Sequence, residues 1–301
     1  MFQISIVEMA LVLYAQAHSP GFEFRETAGH LDLLHAGKVW LRTMVEPYTP
    51  ADREATYKVY THVFDFEGVE PITKGPGGKY SHHRGMFIGW KQVQVGEKTY
   101  NIWEMRDGYQ IHDAWLATEA QQEAARQVQR IRWNTNDGEP IIEEVRTVST
   151  RSEAGGVRMF DFASSLKTAQ GPVLLRGDLH HAGMQVRLAD EVSQHEESTQ
   201  YILPDGAQEL EGDKVVGAWW VCCSAEVRGK RYWIIHMTPK DHPTGEPVYS
   251  IRRYARFGAF FEADLDPGTP LDVRFRVAVS QDELSRAECE RLYAEYVESG
   301  R

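Results

Sequence analysis

From residue 22 onward the chain is broken every few residues by turn-forming residues, and between the breaks apolar and polar residues alternate. Phe22 and Phe24, Leu31 and Leu33, and Val39 and Leu41 mark three successive short runs, with Gly29 and Gly37 at the breaks. Alternation with period two sends successive side chains to opposite faces, so each run reads as a half-buried strand. The pattern recurs over 57–66, 111–118, 141–150, 157–166, 173–175, the stretch holding Met184, Val186 and Leu188, 257–261 and 271–279. Residues 93–103 read as a hairpin turning at Gly96-Glu97. Residues 215–227 and 231–237 read as a second hairpin around Arg228-Gly229-Lys230, apolar enough to lie mid-sheet. Residues 119–126 have the composition of a helix, but they run into the strand-like 128–133, and the whole stretch is read as strand. Asn134 to Gly138 is a turn. Ser280-Gln281-Asp282-Glu283 has the form of a capping box, and Leu284, Ala287, Leu292 and Tyr296 follow at helical spacing.

Many short strands, little helix and no internal repeat imply stacked antiparallel sheets rather than a propeller. The expected fold is all-β: a large twisted antiparallel β-sandwich of the galactose-mutarotase type with a C-terminal helix. Residues 18–280 form the sandwich and 281–301 the helix and tail. Residues 1–17 are an apolar segment or a signal peptide. They contain Glu8 and lack a basic start, yet Ala15-Gln16-Ala17 has the small-x-small form of a cleavage site. Export to the periplasm or beyond is favoured over a cytoplasmic location.

A formal net charge of −11 leaves no basic excess to neutralise phosphates, which argues against a nucleic-acid binder and against an anionic membrane surface. No stretch is long and apolar enough to span a membrane. The three cysteines, Cys222, Cys223 and Cys289, show neither a disulfide framework nor zinc spacing, and Cys222 and Cys223 sit in an apolar strand. There is no P-loop and no Gly-x-Ser-x-Gly elbow.

The chemistry-bearing residues gather in the stretch from Gly75 to Trp90. A glycine-rich turn leads into His82, His83 and Arg84, and the apolar Met86-Phe87-Ile88 follows as a buried strand. Functional groups are commonly held where a loop enters a sheet. In an extended backbone the two imidazoles would point to opposite faces, one to a cavity and one to a loop. A second pair, His180 and His181, follows Asp178, which in a strand would share a face with His180. Histidine suits proton transfer near neutral pH and metal ligation. His62, His112 and His236 also lie near turns, whereas His35, His195 and His242 read as structural. Arg84, Arg187 and Arg256 could hold a carboxylate, phosphate or sugar diol, or brace a loop. Glu104, Asp107, Asp113 and Asp161 are further carboxylates. Trp90, Trp103, Trp115, Trp219, Trp220 and Trp233 could form a sugar-stacking wall or fill the core.

Tyr60-Thr61-His62, Val69 to Thr73, His82 to Gly85 with Trp90, Gly177 to Arg187, and Arg253 to Phe261 resemble, over residues 20–280, a bacterial family of soluble proteins labelled methane oxygenase PmoA-like. The resemblance implies a metal-dependent oxygenase, though not a subunit of a membrane complex. Cleavage after Ala17 would expose His18, whose amine and imidazole could chelate copper. Three functions follow: a carbohydrate-active enzyme, a glycan-binding module, and an oxygenase. The candidate catalytic residues are His82, His83, Arg84 and His181. The candidate binding residues are His62, Trp90, His180, Arg187 and Arg256. His82, His83 and His181 are the metal candidates, with His18. No cofactor is required by the sequence, although a divalent metal fits. The expected partner is a small molecule or glycan, not nucleic acid or membrane.

Overall fold

The computed structural model describes residues 21–299 except 153 and 154. The segment 1–17 and His18 lie outside the described residues. The alternating segments form strands, and among the described residues these make antiparallel sheets of ten, eight and four strands. In the ten-stranded sheet Tyr60–Val63, Met86–Trp90, Ala182–Arg187, Arg256–Phe260 and Val248–Arg252 are consecutive neighbours. The eight-stranded sheet holds the long strands Gly108–Ala120, Ala124–Thr135, Pro140–Arg151, Val157–Thr168 and Leu271–Ser280. Side chains of the two sheets interdigitate: Trp90 meets Trp133 and Trp40 meets Phe160, with ring centroids 6.0 Å and 6.3 Å apart. This is the expected all-β antiparallel sandwich with a C-terminal helix.

Register decides what each face of the ten-stranded sheet carries. Thr43, Thr61, Met86, Val186, Phe257 and Ile251 pair across successive strands and so share a face. That face points to the other sheet. The alternate positions carry Phe87, Gln185, Gly258 and Ser250 in one row and Arg187, Arg256 and Arg252 in another. So the outer face is polar and cationic along its middle strands. Three connections fold over it, within 74–85, 101–107 and 177–181. Their side chains touch it: His83 lies 6.2 Å and Trp103 5.1 Å from the Phe87 ring, and His180 Nδ1 lies 2.9 Å from Ser250 Oγ.

Most strand expectations agree with this structure. The two hairpins turn at Gly96 and at Arg228-Gly229, and Trp220–Val227 and Lys230–Met237 are the second and third strands of their sheet. Two boundaries differ. Residues 121–123 are a turn, closed by Gln121 N donating to Ala124 O at 2.9 Å, so the stretch 119–133 is two strands. The C-terminal helix is Arg286–Ser299, and the capping box is Ser285 with Glu288. Glu288 Oε2 accepts from Ser285 N at 2.7 Å, and Ser285 Oγ accepts from Glu288 N at 3.3 Å. Ser280 instead ends a strand, and its hydroxyl accepts from Asp282 N at 3.0 Å. Both serines stand three residues before a glutamate, so composition alone does not separate them.

One ion pair is sealed inside the sandwich. Arg146 donates to Glu144 through Nε and Nη2 at 2.7 Å and 2.9 Å, and both side chains are fully buried. Trp133 Nε1 and Ser164 Oγ donate to the same carboxylate, each at 2.9 Å, and Arg146 Nη1 reaches Val59 O at 3.0 Å. Removing one partner strands the other charge in a low-dielectric core. Glu144→Ala is expected to cost about 3–5 kcal/mol in urea unfolding. A cost under about 1 kcal/mol would show that the pair is dispensable.

Candidate functional site

The loop that carries the first histidine pair is set by backbone chemistry. Gly85 has φ +46°, and a Cβ there would sit 2.3 Å from Thr61 O, so only glycine fits. Tyr80, a non-glycine residue, adopts φ +56°, a position that a surrounding structure has to enforce. Arg84 does the enforcing. Its Nε donates to Ser81 O at 2.9 Å, its Nη1 to Ala55 O at 3.2 Å and its Nη2 to Glu54 O. The guanidinium also lies 4.4 Å from the centroid of the Tyr57 ring. Arg84 is therefore a brace, and its donors are committed to carbonyl oxygens rather than to a ligand.

Lys58 makes a second clip. Its ammonium donates to His82 O at 2.7 Å and to Trp103 O at 3.0 Å, joining the histidine loop to the tryptophan loop. It also lies 4.4 Å from the Phe87 ring centroid. Burial, then the charges of Arg84 and Arg146, hold its pKa well below the ordinary lysine value.

The imidazoles do not divide between faces. His82 and His83 lie in a turn, and their ring centroids are 4.3 Å apart at 72°. The expectation of opposite faces fails because that rule holds for extended backbone only. His83 is enclosed by Tyr80, Phe87, Trp103 and Tyr254, with centroids 5.4–6.2 Å away. Trp103 also stands 6.0 Å from His181, so one indole separates the two histidine pairs. His180 and His181 are 6.4 Å apart. The pairs thus converge on one cluster, with His83 buried and His82, His180 and His181 half-buried around it.

Asp178 serves His181, not His180 as strand geometry suggested. Residues 178–181 form a turn, with His181 N donating to Asp178 O at 2.9 Å, and Asp178 Oδ1 contacts His181 Nδ1. A carboxylate only accepts, so Nδ1 carries the proton and Nε2 keeps its lone pair. Burial works against the Asp178 charge, but hydrogen bonds from His181 and from His180 N outweigh it and hold the carboxyl below its usual range.

All four imidazoles are held neutral. Burial, followed by neighbouring cations, pushes His82 down to about 3 and His180 to about 4, and takes His83 well below its ordinary value. Burial also lowers His181, opposed by Asp178. The Arg256 charge acts on every one of the four. Arg256 is fully buried, and its Nη1 donates to Gln185 Oε1 at 2.9 Å. Arg187, its register partner, is fully buried 4.7 Å from the Tyr254 ring centroid, and its Nη2 reaches Asp190 Oδ1 at 3.3 Å.

Several polar atoms here are buried without a partner: His82 Nε2, both ring nitrogens of His83, Trp103 Nε1, Arg187 Nε and Nη1, and Arg256 Nε. Native proteins leave few such atoms, and a cluster of them calls for a missing acceptor. Two other candidates sit elsewhere. Trp90 is a core residue whose Nε1 donates to Phe261 O at 2.9 Å. His62 bonds Thr73 Oγ1 through Nδ1 at 3.0 Å and lines a separate groove with Lys74, Gly75 and Asp190. His112 and His236 are structural, bonded to Gln129 at 3.0 Å and to Tyr249 at 3.2 Å. Lys58, Tyr80 and Tyr254 were missed from sequence. The tyrosines sit inside the singled-out segments, whereas nothing distinguishes Lys58 before folding. Among the described residues, no group of three or more His, Cys, Asp or Glu is placed to hold a metal, His82, His83 and His181 included. Nor is any helix among them long and apolar enough to cross a membrane.

Fold and site together define an all-β sandwich protein with a cluster of histidines and arginines on the outer face of its largest sheet. Residues 30–294 match the model described as "Family of unknown function (DUF6807)", and the chain belongs to that family. This corrects the methane oxygenase PmoA-like resemblance, which no match supports. The oxygenase and copper expectations, which rested on that resemblance, lose their footing. No curated protein matches significantly. Similar solved structures include a GalM/aldose epimerase homologue from C. elegans, at 9% identity and TM-score 0.38, covering 87% of this chain and 98% of that one. A putative kojibiose phosphorylase from human microbiome follows at 8% and 0.36, covering 93% of this chain and 36% of that one. A polysaccharide lyase stands at 10% and 0.33, covering 93% of this chain and 35% of that one. Likenesses this distant carry nothing about activity.

Two predictions follow from this geometry. Arg84→Ala removes the donors for three loop carbonyls and is expected to cost about 2–4 kcal/mol in chemical unfolding. A change within about 0.5 kcal/mol would mean that Arg84 is not the brace. Burial also pushes His62 and His236 down to about 3. Their unfolded forms take up a proton near 6.5 while the folded forms refuse it, so stability is full above that pH and falls as pH drops towards 3. Each deeply buried histidine adds up to about 1.4 kcal/mol per pH unit to the slope. Thermal midpoints measured from pH 7.5 to pH 4 test this, and a flat profile contradicts it.

Proposed function

We propose that this chain is a carbohydrate-active protein whose cleft moves protons on a sugar. The observation that carries the reading is the cluster of buried, unpartnered N–H groups and imidazole nitrogens of His82, His83, Trp103, Arg187 and Arg256. A polyhydroxylated ligand brings many acceptors and donors in a small volume, and half-exposed Tyr80 offers a flat ring beside them. In this reading His181 is the general base. Its Nε2 takes a proton from the sugar while Asp178 holds Nδ1–H and steadies the imidazolium that forms. A neutral imidazole of the His82–His83 pair gives a proton to the sugar oxygen that gains electron density, and the Arg256 charge stabilises that oxygen. One proton leaves the sugar and one arrives, as epimerisation or elimination requires. Arg84 contributes by holding the loop.

The acid–base role is tested in D2O with a panel of aldoses and sugar acids, following deuterium incorporation and product formation by NMR. His181→Ala is expected to lower turnover by about 100-fold or more. The melting temperature should barely move, because His181 is half-exposed. Unchanged turnover in that variant removes His181 from the chemistry. Saturable binding with no chemical change in any sugar would make the chain a glycan-binding module.

A further inference from the structure

We infer that the cleft takes an anionic sugar, its carboxylate or phosphate seated on Arg187 and Arg256. This rests on the sugar reading above and narrows its substrate class. The two arginines stand directly opposite each other on neighbouring strands, Arg187 on Ala182–Arg187 and Arg256 on Arg256–Phe260. Like charges in that relation repel, and both side chains are fully buried. Buried arginines are ordinarily paired with carboxylates. Arg256 has no carboxylate contact: its Nη1 donates to the neutral amide of Gln185, its side chain also hydrogen-bonds Tyr254, and its Nε has no acceptor. Arg187 meets the Asp190 carboxylate through one Nη only, which leaves Nε and Nη1 without acceptors.

Apart from Asp190 on Arg187, no carboxylate among the described residues pairs with either arginine. Lys58, also buried, brings no acceptor, since its ammonium group donates to carbonyl oxygens. The four imidazoles carry no negative charge. Asp178, at the rim, is engaged by His181 and by Lys91, whose Nζ lies 3.3 Å from Oδ2. Neutral hydroxyls could satisfy the free N–H groups but would leave the charges uncompensated. A carboxylate or phosphate does both, and guanidinium groups match such oxyanions in shape. Tyr254 lies beneath Arg187 and beside His83, so an anion on the arginines would bring the rest of the sugar to the histidines.

The test is titration calorimetry at fixed ionic strength with the wild-type chain. D-glucuronate and D-galacturonate are compared with D-glucose and D-galactose, and D-glucose 6-phosphate forms a third arm. At least one anionic sugar is expected to bind ten-fold or more tightly than its neutral parent, and the better of the acid and phosphate arms names the oxyanion. Arg187→Gln and Arg256→Gln are expected to erase that preference. Equal binding of acids and neutral sugars overturns the inference, as does an anion preference that survives both substitutions, or no binding of any sugar. Should the variants fail to fold, the wild-type comparison still decides. Neutral sugars that bind and turn over without anion preference defeat this inference and leave the acid–base reading standing. Acids that bind selectively yet stay unchanged do the reverse.

Discussion

The site depends on two buried basic side chains that hold loops by their carbonyl oxygens. Lys58 ties the His82 loop to the Trp103 loop, and Arg84 ties the same histidine loop to residues 54 and 55. Neither makes an ion pair with a carboxylate. Such contacts fix geometry well, because each N–H must meet a particular backbone oxygen in a direction set by the chain. Burial first, and then the Arg256 charge among others, drives every imidazole of the site towards its neutral form.

That electrostatic consequence links the fold to the chemistry. The inner face of the ten-stranded sheet is apolar and packs on the second sheet, while alternation forces the intervening positions outward. On the middle strands those positions are Gln185, Arg187 and Arg256, and the connections above them shut out water. A low-dielectric, cationic floor strengthens any interaction with a negative group. It also keeps the histidines free of protons at neutral pH, ready to accept or to share one. His181 is set apart by the carboxylate partner on its ring. The contrast with Glu144 and Arg146 is instructive: there a buried charge is met by an opposite charge and by two further donors, and nothing is left open.

Much of the fold was legible because period-two alternation survives in sequence wherever one face of a strand is buried. The hairpins at Gly96 and Arg228-Gly229 and the apolar central pair of strands followed from it. The turn at 121–123 did not, since Gln121, Gln122 and Glu123 are ordinary helix formers and carry no turn signal. The helix start moved from Ser280 to Ser285 for a related reason: two Ser-x-x-Glu spacings compete, and tertiary packing of the strand ending at Ser280 decides. In the site, residue type was informative and geometry was not. His82, His83, His180, His181, Arg187 and Arg256 do meet, yet Arg84 and Trp90 turned inward to structural work. Sequence separation hides which arginine finds carbonyls and which is left with free N–H groups.

The central claim is that distant histidines and arginines form one binding unit with unmet hydrogen bonds. Side-chain 15N NMR tests it directly, by following histidine and arginine resonances of the ligand-free protein as D-glucuronate is added. The account predicts that His83, His181, Arg187 and Arg256 shift together along one binding curve, while His236 and the sealed Arg146 stay fixed. Shifts scattered over unrelated histidines and arginines, or none at the two guanidinium groups of the cleft, would contradict it.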